Sequence, residues 1–462
     1  MTRPSARRRL AVEVIQTSGM DCGPAALKCL LEGFGVPASY GRLREACQTD
    51  VDGTSIDTLE DIAGRLGLDA EQVMIPVDHL LLPEAAATPA ILVTLTPGGM
   101  THFVVLWSAG AGFVQLMDPG SGRAFVRAAA FMRRVFVHRK PVPADALRAW
   151  LGDDDFLAPL RRRMRDLGVA PDAGPWLADA LADPDWRPIA ILDAAIRMIA
   201  ALIAAGGLRR GDEARRVLDR LVHETRGLTG DALHERIPAH FFIATPTRQP
   251  DEVMFQGAVL VRVRGLREDV SSARRDPAAL ARSGLSPDLV AALTEPPRAP
   301  FAELLGVLRG SEGRAPLARL AALLVLGMFA ASAAILAEAL VLRGLFDIGA
   351  RFGLGEQRLG AALTVLALLA LILALELPLA LALRRLGRHL DARLRVAFVT
   401  AIPRLGDRYL ASRPVSDMAD RIHTSHILRG LPLTLARLVR AAFDLLLTAI
   451  ALIWLTPAGA AW

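Results

Sequence analysis

The sequence predicts an α+β domain at the front of the chain, a mixed, mostly helical region after it, and an all-α transmembrane segment at the back. Three observations carry this reading. An apolar helical run follows Cys22, and β-branched apolar runs split by glycine and proline follow it between residues 89 and 117. Hydrophobic residues make up 52% of the 462 residues, with a positive mean hydropathy. The long unbroken apolar runs, however, begin only at Leu320. A chain of this length has room for two or three domains.

The first sixteen residues, MTRPSARRRLAVEVIQ, are basic, but Glu13 interrupts their apolar part, which is too short for a signal sequence. The front domain is therefore expected in the cytoplasm. Asp21, Gly23 and Pro24 are helix-start residues, with Asp21 as the capping carboxylate. Ala25, Ala26, Leu27, Leu30 and Leu31 then form the face of a helix that must be buried, running from Cys22 to Phe34. Shorter helices are expected from Tyr40 to Cys47 and from Ser55 to Leu66. Strands follow at PAILVTL, THFVVLW and GFVQLM, which begin at Pro89, Thr101 and Gly112. Helices first and an antiparallel sheet afterwards is the segregated layout of α+β domains.

Cys22 at a helix start feels unpaired amides and the positive end of the helix dipole, which favour a thiolate. His102 opens one predicted strand and Asp118 ends the next, so an antiparallel hairpin can set them side by side. Thiol, imidazole and carboxylate in these places match a cysteine-peptidase site. Cys22 would attack a peptide carbonyl, His102 would act as base and then acid, and Asp118 would fix the imidazole tautomer. Gln16 would donate a side-chain N–H to the developing oxyanion, together with the Cys22 backbone N–H. Taken singly, each residue has an ordinary reading: core cysteine, surface histidine, turn aspartate, surface glutamine. Their order along the chain is what separates them from those readings. Cys29 and Cys47 sit in helical stretches and read as packing residues. Three sparse cysteines without metal spacing imply free thiols in a reducing compartment.

Gln16, then Asp21-Cys22-Gly23 entering a helix, then His102-Phe103-Val104-Val105-Leu106, then Asp118-Pro119 with Gly122 resembles the bacteriocin-processing cysteine peptidases, over roughly residues 12–140. That family is papain-like and forms the cytoplasmic front of peptidase-containing ABC exporters. The resemblance implies Cys22 as nucleophile, His102 as base and acid, Asp118 as orienter and Gln16 as oxyanion donor. It also implies a substrate, the leader of a double-glycine-type bacteriocin or peptide precursor. Some exporters of this layout carry a cysteine-less domain that only docks cargo, so a non-cleaving leader-binding module is the alternative function.

Pro141, Pro143 and the acidic stretch from Gly152 to Asp155 mark a boundary into a mostly helical region, 141–315. The apolar stretch from Ile189 to Ala205 is interrupted by Asp193 and Arg197 and falls short of the ~20 residues of a span, so a buried soluble helix is expected. A charged helix from Asp212 to Arg226 and a strand-like run from Ala258 to Val263 follow. His234-Glu235 and His240 lack the spacing of a zinc helix.

From Leu317 the chain reads as membrane-embedded, with spans at about 318–342, 359–383 and 439–457. Trp454 and Trp462 suit the interface at the far end. The connection from Arg384 to Arg440 is dense in arginine, so the positive-inside rule places it in the cytoplasm. Within it, Arg413-Pro414-Val415-Ser416-Asp417 and Arg421-Ile422 resemble the cytoplasmic extension between the second and third spans of ABC exporters.

The net charge of +6 is almost all arginine; neither Lys28 nor Lys140 lies in the glycine-rich context of a phosphate loop. The scattered arginines, without interleaved aromatics, argue against nucleic acid. The expected organisation is a peptidase domain (1–140), an uncharacterised cytoplasmic region (141–315) and a partial exporter transmembrane domain (316–462). Since a full exporter has six spans and an ATPase, the chain reads as truncated, as a split gene product or as a degraded relative. Its expected partners are the leader-bearing precursor, the lipid bilayer, an ABC ATPase domain or subunit and a second exporter half in a dimer. No cofactor is expected in the chain itself, ATP entering through the missing ATPase. The expected location is the bacterial inner membrane, multi-pass, with the peptidase domain cytoplasmic.

Overall fold

A computed structural model describes residues 7–172, 174–267, 285–295, 300–309, 314–349, 355–405, 409–410 and 413–455. It divides into two compact units, Met1–Pro297 and Arg298–Trp462, each described by itself.

The first unit opens with α1 (Cys22–Gly33), α2 (Tyr40–Ala46) and α3 (Ile56–Arg65), close to the expected bounds. Ser55 caps α3 by accepting a hydrogen bond from the Thr58 N–H at 3.1 Å. The apolar face of α1 is buried as its periodicity requires. Its last turn approaches the sheet so closely that a Cβ on Gly33 would stand 2.1 Å from the Trp107 ring, so only glycine fits.

The strands are β1 (Leu68–Ile75), β2 (Ala90–Leu95), β3 (Thr101–Gly110), β4 (Phe113–Asp118), β5 (Gly122–Arg127), β6 (His138–Pro143), β7 (Ala244–Pro246) and β8 (Glu252–Leu266). The sheet order is β1-β8-β2-β3-β4-β5, with β6 and β7 also on β8, and every pairing is antiparallel. Alternation along the strands makes two layers. Ile91, Val105, Trp107, Met117 and Val261 face the helices. Leu92, Val104, Leu106, Leu116 and Leu260 face the other way, where Leu80, Ala85, Phe131 and Val135 cover them. At ~1.5–3 kcal/mol for each fully buried large apolar side chain, these two layers dominate the favourable side of folding.

The sheet does not end where the sequence suggested a domain boundary, at residue 140. β6 leads out of it and residues 144–251 fold into a helical insertion with its own core, including Phe156, Leu160, Ile196 and Leu218. The chain then returns as the fifteen-residue β8, which enters between β1 and β2 and pairs with both. The strand-like run at 258–263 is thus the centre of a long strand, buried on both faces, that completes the front domain's sheet. β1 escaped sequence detection because Asp69, Glu71 and Gln72 hide its alternation; it is a strand because β8 gives its backbone a partner. β8 passes β1 closely at Gly257, where a Cβ would lie 2.4 Å from the Ile75 carbonyl oxygen. Gly257→Ala is therefore expected to cost ~1–3 kcal/mol and lower the melting midpoint by several degrees, measured by tryptophan fluorescence; an unchanged midpoint would contradict this pairing.

The apolar stretch from Ile189 to Ala205 lies in the insertion as the helix Arg187–Ala204, packed in its core. Asp193 within it is completely buried, yet its pKa lies well below the carboxylate range. Burial opposes this shift, and the cations of Arg197 and Arg163 overcome it, at 3.0 and 2.6 Å. His79 joins this cluster, where burial pushes its pKa down to about 4 and leaves it neutral.

In the second unit, two helices among the described residues are long and apolar enough to cross a membrane: Ala318–Phe346 and Gly355–Ala401. Leu323, Leu326, Leu363 and Leu366 are among many apolar side chains that protein does not cover. The third expected span lies in the helix Leu431–Leu455, which carries Arg437, Arg440 and Asp444 and is not among the two. Arg440 forms an ion pair with Glu376. Asp417 accepts from Arg413 and Arg421 at 3.2 and 2.9 Å, which gives the Pro-Val-Ser-Asp and Arg-Ile residues a shared physical role at the helix Val415–Thr424. Arg408, Trp462 and the end of the third expected span lie outside the described residues.

Candidate active site

Cys22 is the first residue of α1 and is partly exposed. Asp21 occupies the N-cap position, but its side chain does not cap the helix as the sequence suggested. Its carboxylate is turned into the interior and paired with Arg44, a stronger partner than an amide. The N–H groups of Cys22 and Gly23 have no carbonyl four residues back within the helix and remain directed at its entrance, whereas Pro24 has no N–H and the Ala25 N–H donates to the Asp21 carbonyl.

His102 lies opposite Thr94 on the β2–β3 hairpin, and the Thr94 hydroxyl donates to its carbonyl at 3.3 Å. Asp118 comes one residue after Met117, which pairs with Val105. From there its Oδ1 meets His102 Nε2 at 2.8 Å. Nε2 is thereby engaged by the carboxylate, and Cys22 is the other neighbour that acts on the ring. Burial alone would lower the His102 pKa. The hydrogen bonds and charges of Asp118 and Cys22 overcome it and raise the value to about 9. Asp118 is held below the usual carboxylate range, first by its bond to His102 against the opposing effect of burial, then by the Gly120 N–H at 2.9 Å and the Arg134 charge.

Gln16 reaches this corner because its N–H donates to the Pro119 carbonyl at 2.8 Å, one residue beyond Asp118. The preceding segment is pinned to the sheet by the Ala11 N–H donating to Gln115 and by Arg123 donating to the Ala11 carbonyl, at 2.7 and 2.9 Å. Gln16 Oε1 is buried and accepts no hydrogen bond, so the fold leaves this end of the carboxamide unused.

All four residues singled out in the sequence therefore belong to one corner of the domain. Cys29 and Cys47 do not: both are buried in the core, and burial pushes each thiol up to about 12, which leaves them inert. Arg134 was not legible in the sequence. It approaches Asp118 Oδ2 at 3.6 Å and is placed by its own carbonyl, which accepts from the Leu95 N–H at 2.7 Å. One arginine among so many gave no signal.

Residues 12–134 match the Peptidase C39 family. An uncharacterised protein of Methanothermobacter marburgensis is 32% identical over 122 residues, covering 26% of this chain and 81% of that protein. A second uncharacterised protein, from Methanothermobacter thermautotrophicus, is equally similar over the same length. The lactococcin-G-processing and transport ATP-binding protein LagD of Lactococcus lactis is 27% identical over 110 residues, 24% of this chain and 16% of that one. Among solved structures, a double glycine motif protease from an AMS/PCAT transporter, in complex with the leader peptide, shares 22% identity. It covers 29% of this chain and 93% of its own, with a TM-score of 0.25. The peptidase domain of Streptococcus ComA, a bifunctional ABC transporter, also shares 22% identity, covering 27% and 90% with a TM-score of 0.25. Through its front domain, the chain belongs to the Peptidase C39 family.

Proposed function

We propose that this chain cuts the leader from a double-glycine-type peptide precursor, with Cys22 as nucleophile, His102 as base and acid, Asp118 as orienter and Gln16 as oxyanion donor. The observation that carries it is the His102–Asp118 hydrogen bond of 2.8 Å beside a thiol at the first position of α1. With its proton already held on His102, Cys22 Sγ bonds to the carbonyl carbon of the second small residue. The oxyanion is met by the Cys22 N–H and the Gln16 carboxamide, whose half-turn about its last torsion presents N–H where Oε1 now stands. His102 then protonates the leaving amine as the C–N bond breaks, which frees the mature peptide. Water, deprotonated by His102, cleaves the thioester, releasing the leader as a carboxylic acid and restoring Cys22.

The two long apolar helices and the arginine-rich connection support a place in the inner membrane with the peptidase on the cytoplasmic side. Export of the trimmed peptide would then be driven by ATP on a nucleotide-binding domain outside these residues, in a dimer of exporter halves. The test is incubation of the detergent-solubilised chain with a double-glycine precursor, read by mass spectrometry. Two fragments meeting after the small-residue pair are expected; leader bound but left intact would replace the peptidase with a docking module.

A further inference from the structure

We propose that Arg44, acting through the buried carboxylate of Asp21, is a positioning residue that sets where the Cys22 thiol stands relative to His102 and Gln16. This rests on Cys22 being the nucleophile. Asp21 directly precedes Cys22; its side chain is 0% exposed and that of Arg44 3%. Arg44 Nε donates to Asp21 Oδ1 at 2.6 Å. The other oxygen, Oδ2, accepts from the Thr17 hydroxyl at 2.8 Å and from the Tyr40 hydroxyl at 3.4 Å. Tyr40 in turn accepts from the Thr17 N–H at 3.2 Å. Burial and the neighbouring Asp21 charge push the Tyr40 pKa up to about 12, so its hydroxyl stays a donor.

The loop from Thr17 to Asp21 is thus fastened to α2 at both ends. Gln16 lies just before it and Cys22 just after it, so one fastening sets two members of the site. α2 is braced from behind: the Ser39 N–H donates to the Ala292 carbonyl at 2.7 Å, and Ser39 Oγ and Arg42 Nε each donate to Glu295 at 2.8 Å. Stability alone does not explain a buried ion pair here, since well-packed apolar side chains of similar volume commonly hold a core as well. Directional bonds fix the rotation and height of a helix entrance, which apolar packing does not. A misplacement of ~1 Å at reacting atoms can cost ~10²-fold in rate.

Asp21→Asn, Arg44→Gln and the double variant are made in the full chain in detergent, with active sites counted by stoichiometric alkylation of Cys22. Each single variant is expected to lose roughly tenfold or more in kcat with KM held within about twofold, and the double to be no worse than the worse single, since the two side chains act as one unit. The rate of Cys22 alkylation by iodoacetamide should fall in parallel. Effects that multiply in the double, or an Arg44→Gln kcat within about twofold of the unmodified chain, would overturn the proposal. Should Arg44→Gln not fold, Tyr40→Phe removes only the shared hydroxyl and must still lower kcat severalfold; an unchanged kcat there overturns it equally. If the unmodified chain cleaves nothing, the peptidase reading fails, while an unaltered alkylation rate in Arg44→Gln refutes the positioning role separately.

Discussion

Cys22→Ala is expected to lower precursor cleavage by roughly 10⁴-fold or more while leaving leader binding within about twofold, because the thiol forms the bond that defines the reaction and contributes little to docking. His102→Ala should fall to a similar floor, and the double variant no further, since nucleophile and base act as one unit. Cys29→Ala and Cys47→Ala should leave kcat per folded molecule nearly unchanged, because both thiols are core groups held protonated by burial. Single-turnover cleavage of a labelled precursor, paired with anisotropy for binding, measures both quantities. Several per cent of residual cleavage in Cys22→Ala would remove Cys22 from the mechanism.

Asp118→Asn should cost roughly 10²-fold or more at neutral pH and move the alkaline limb of the kcat/KM profile to lower pH. The sign follows from the charges. Asp118 is an anion hydrogen-bonded to His102, so it favours the imidazolium and lifts the His102 pKa to about 9. In the unmodified chain the protonated ring beside Cys22 persists up to that pH and is lost above it. An asparagine keeps the shape but removes the charge and can present the wrong group to Nε2, so the ring deprotonates earlier and its tautomer is no longer fixed. Asp118 itself stays ionised through the working range, since His102, Gly120 and Arg134 hold its pKa below the usual carboxylate value. A pH profile whose alkaline limb stays in place in Asp118→Asn would show that another group orients the ring.

Much of the site could be read from the chain because its parts are local. Cys22 stands at a helix start written in Asp21, Gly23 and Pro24, and His102 and Asp118 bound strands whose alternation is clear. What failed did so through long-range effects. β1 looked polar until β8 gave its backbone a partner. The region after residue 140 looked separate because its strand-like run at 258–263 lies more than a hundred residues along the chain from the front sheet it joins. Asp21 fits the pattern of a capping residue, and nothing near it in sequence announces Arg44, twenty-three residues on.

The sequence by itself determined the residue types of the site, their order, the helix that carries the thiol and the apolar runs at the C-terminal end, since each depends on neighbours within a few turns of chain. The tertiary structure alone decided which arginine holds the Asp21 carboxylate and where the last strand of the sheet comes from. A hydrogen bond of 2.8 Å between His102 and Asp118, or of 2.6 Å between Arg44 and Asp21, is set by how separate elements stack. Spacing along a chain permits such contacts; packing selects among them.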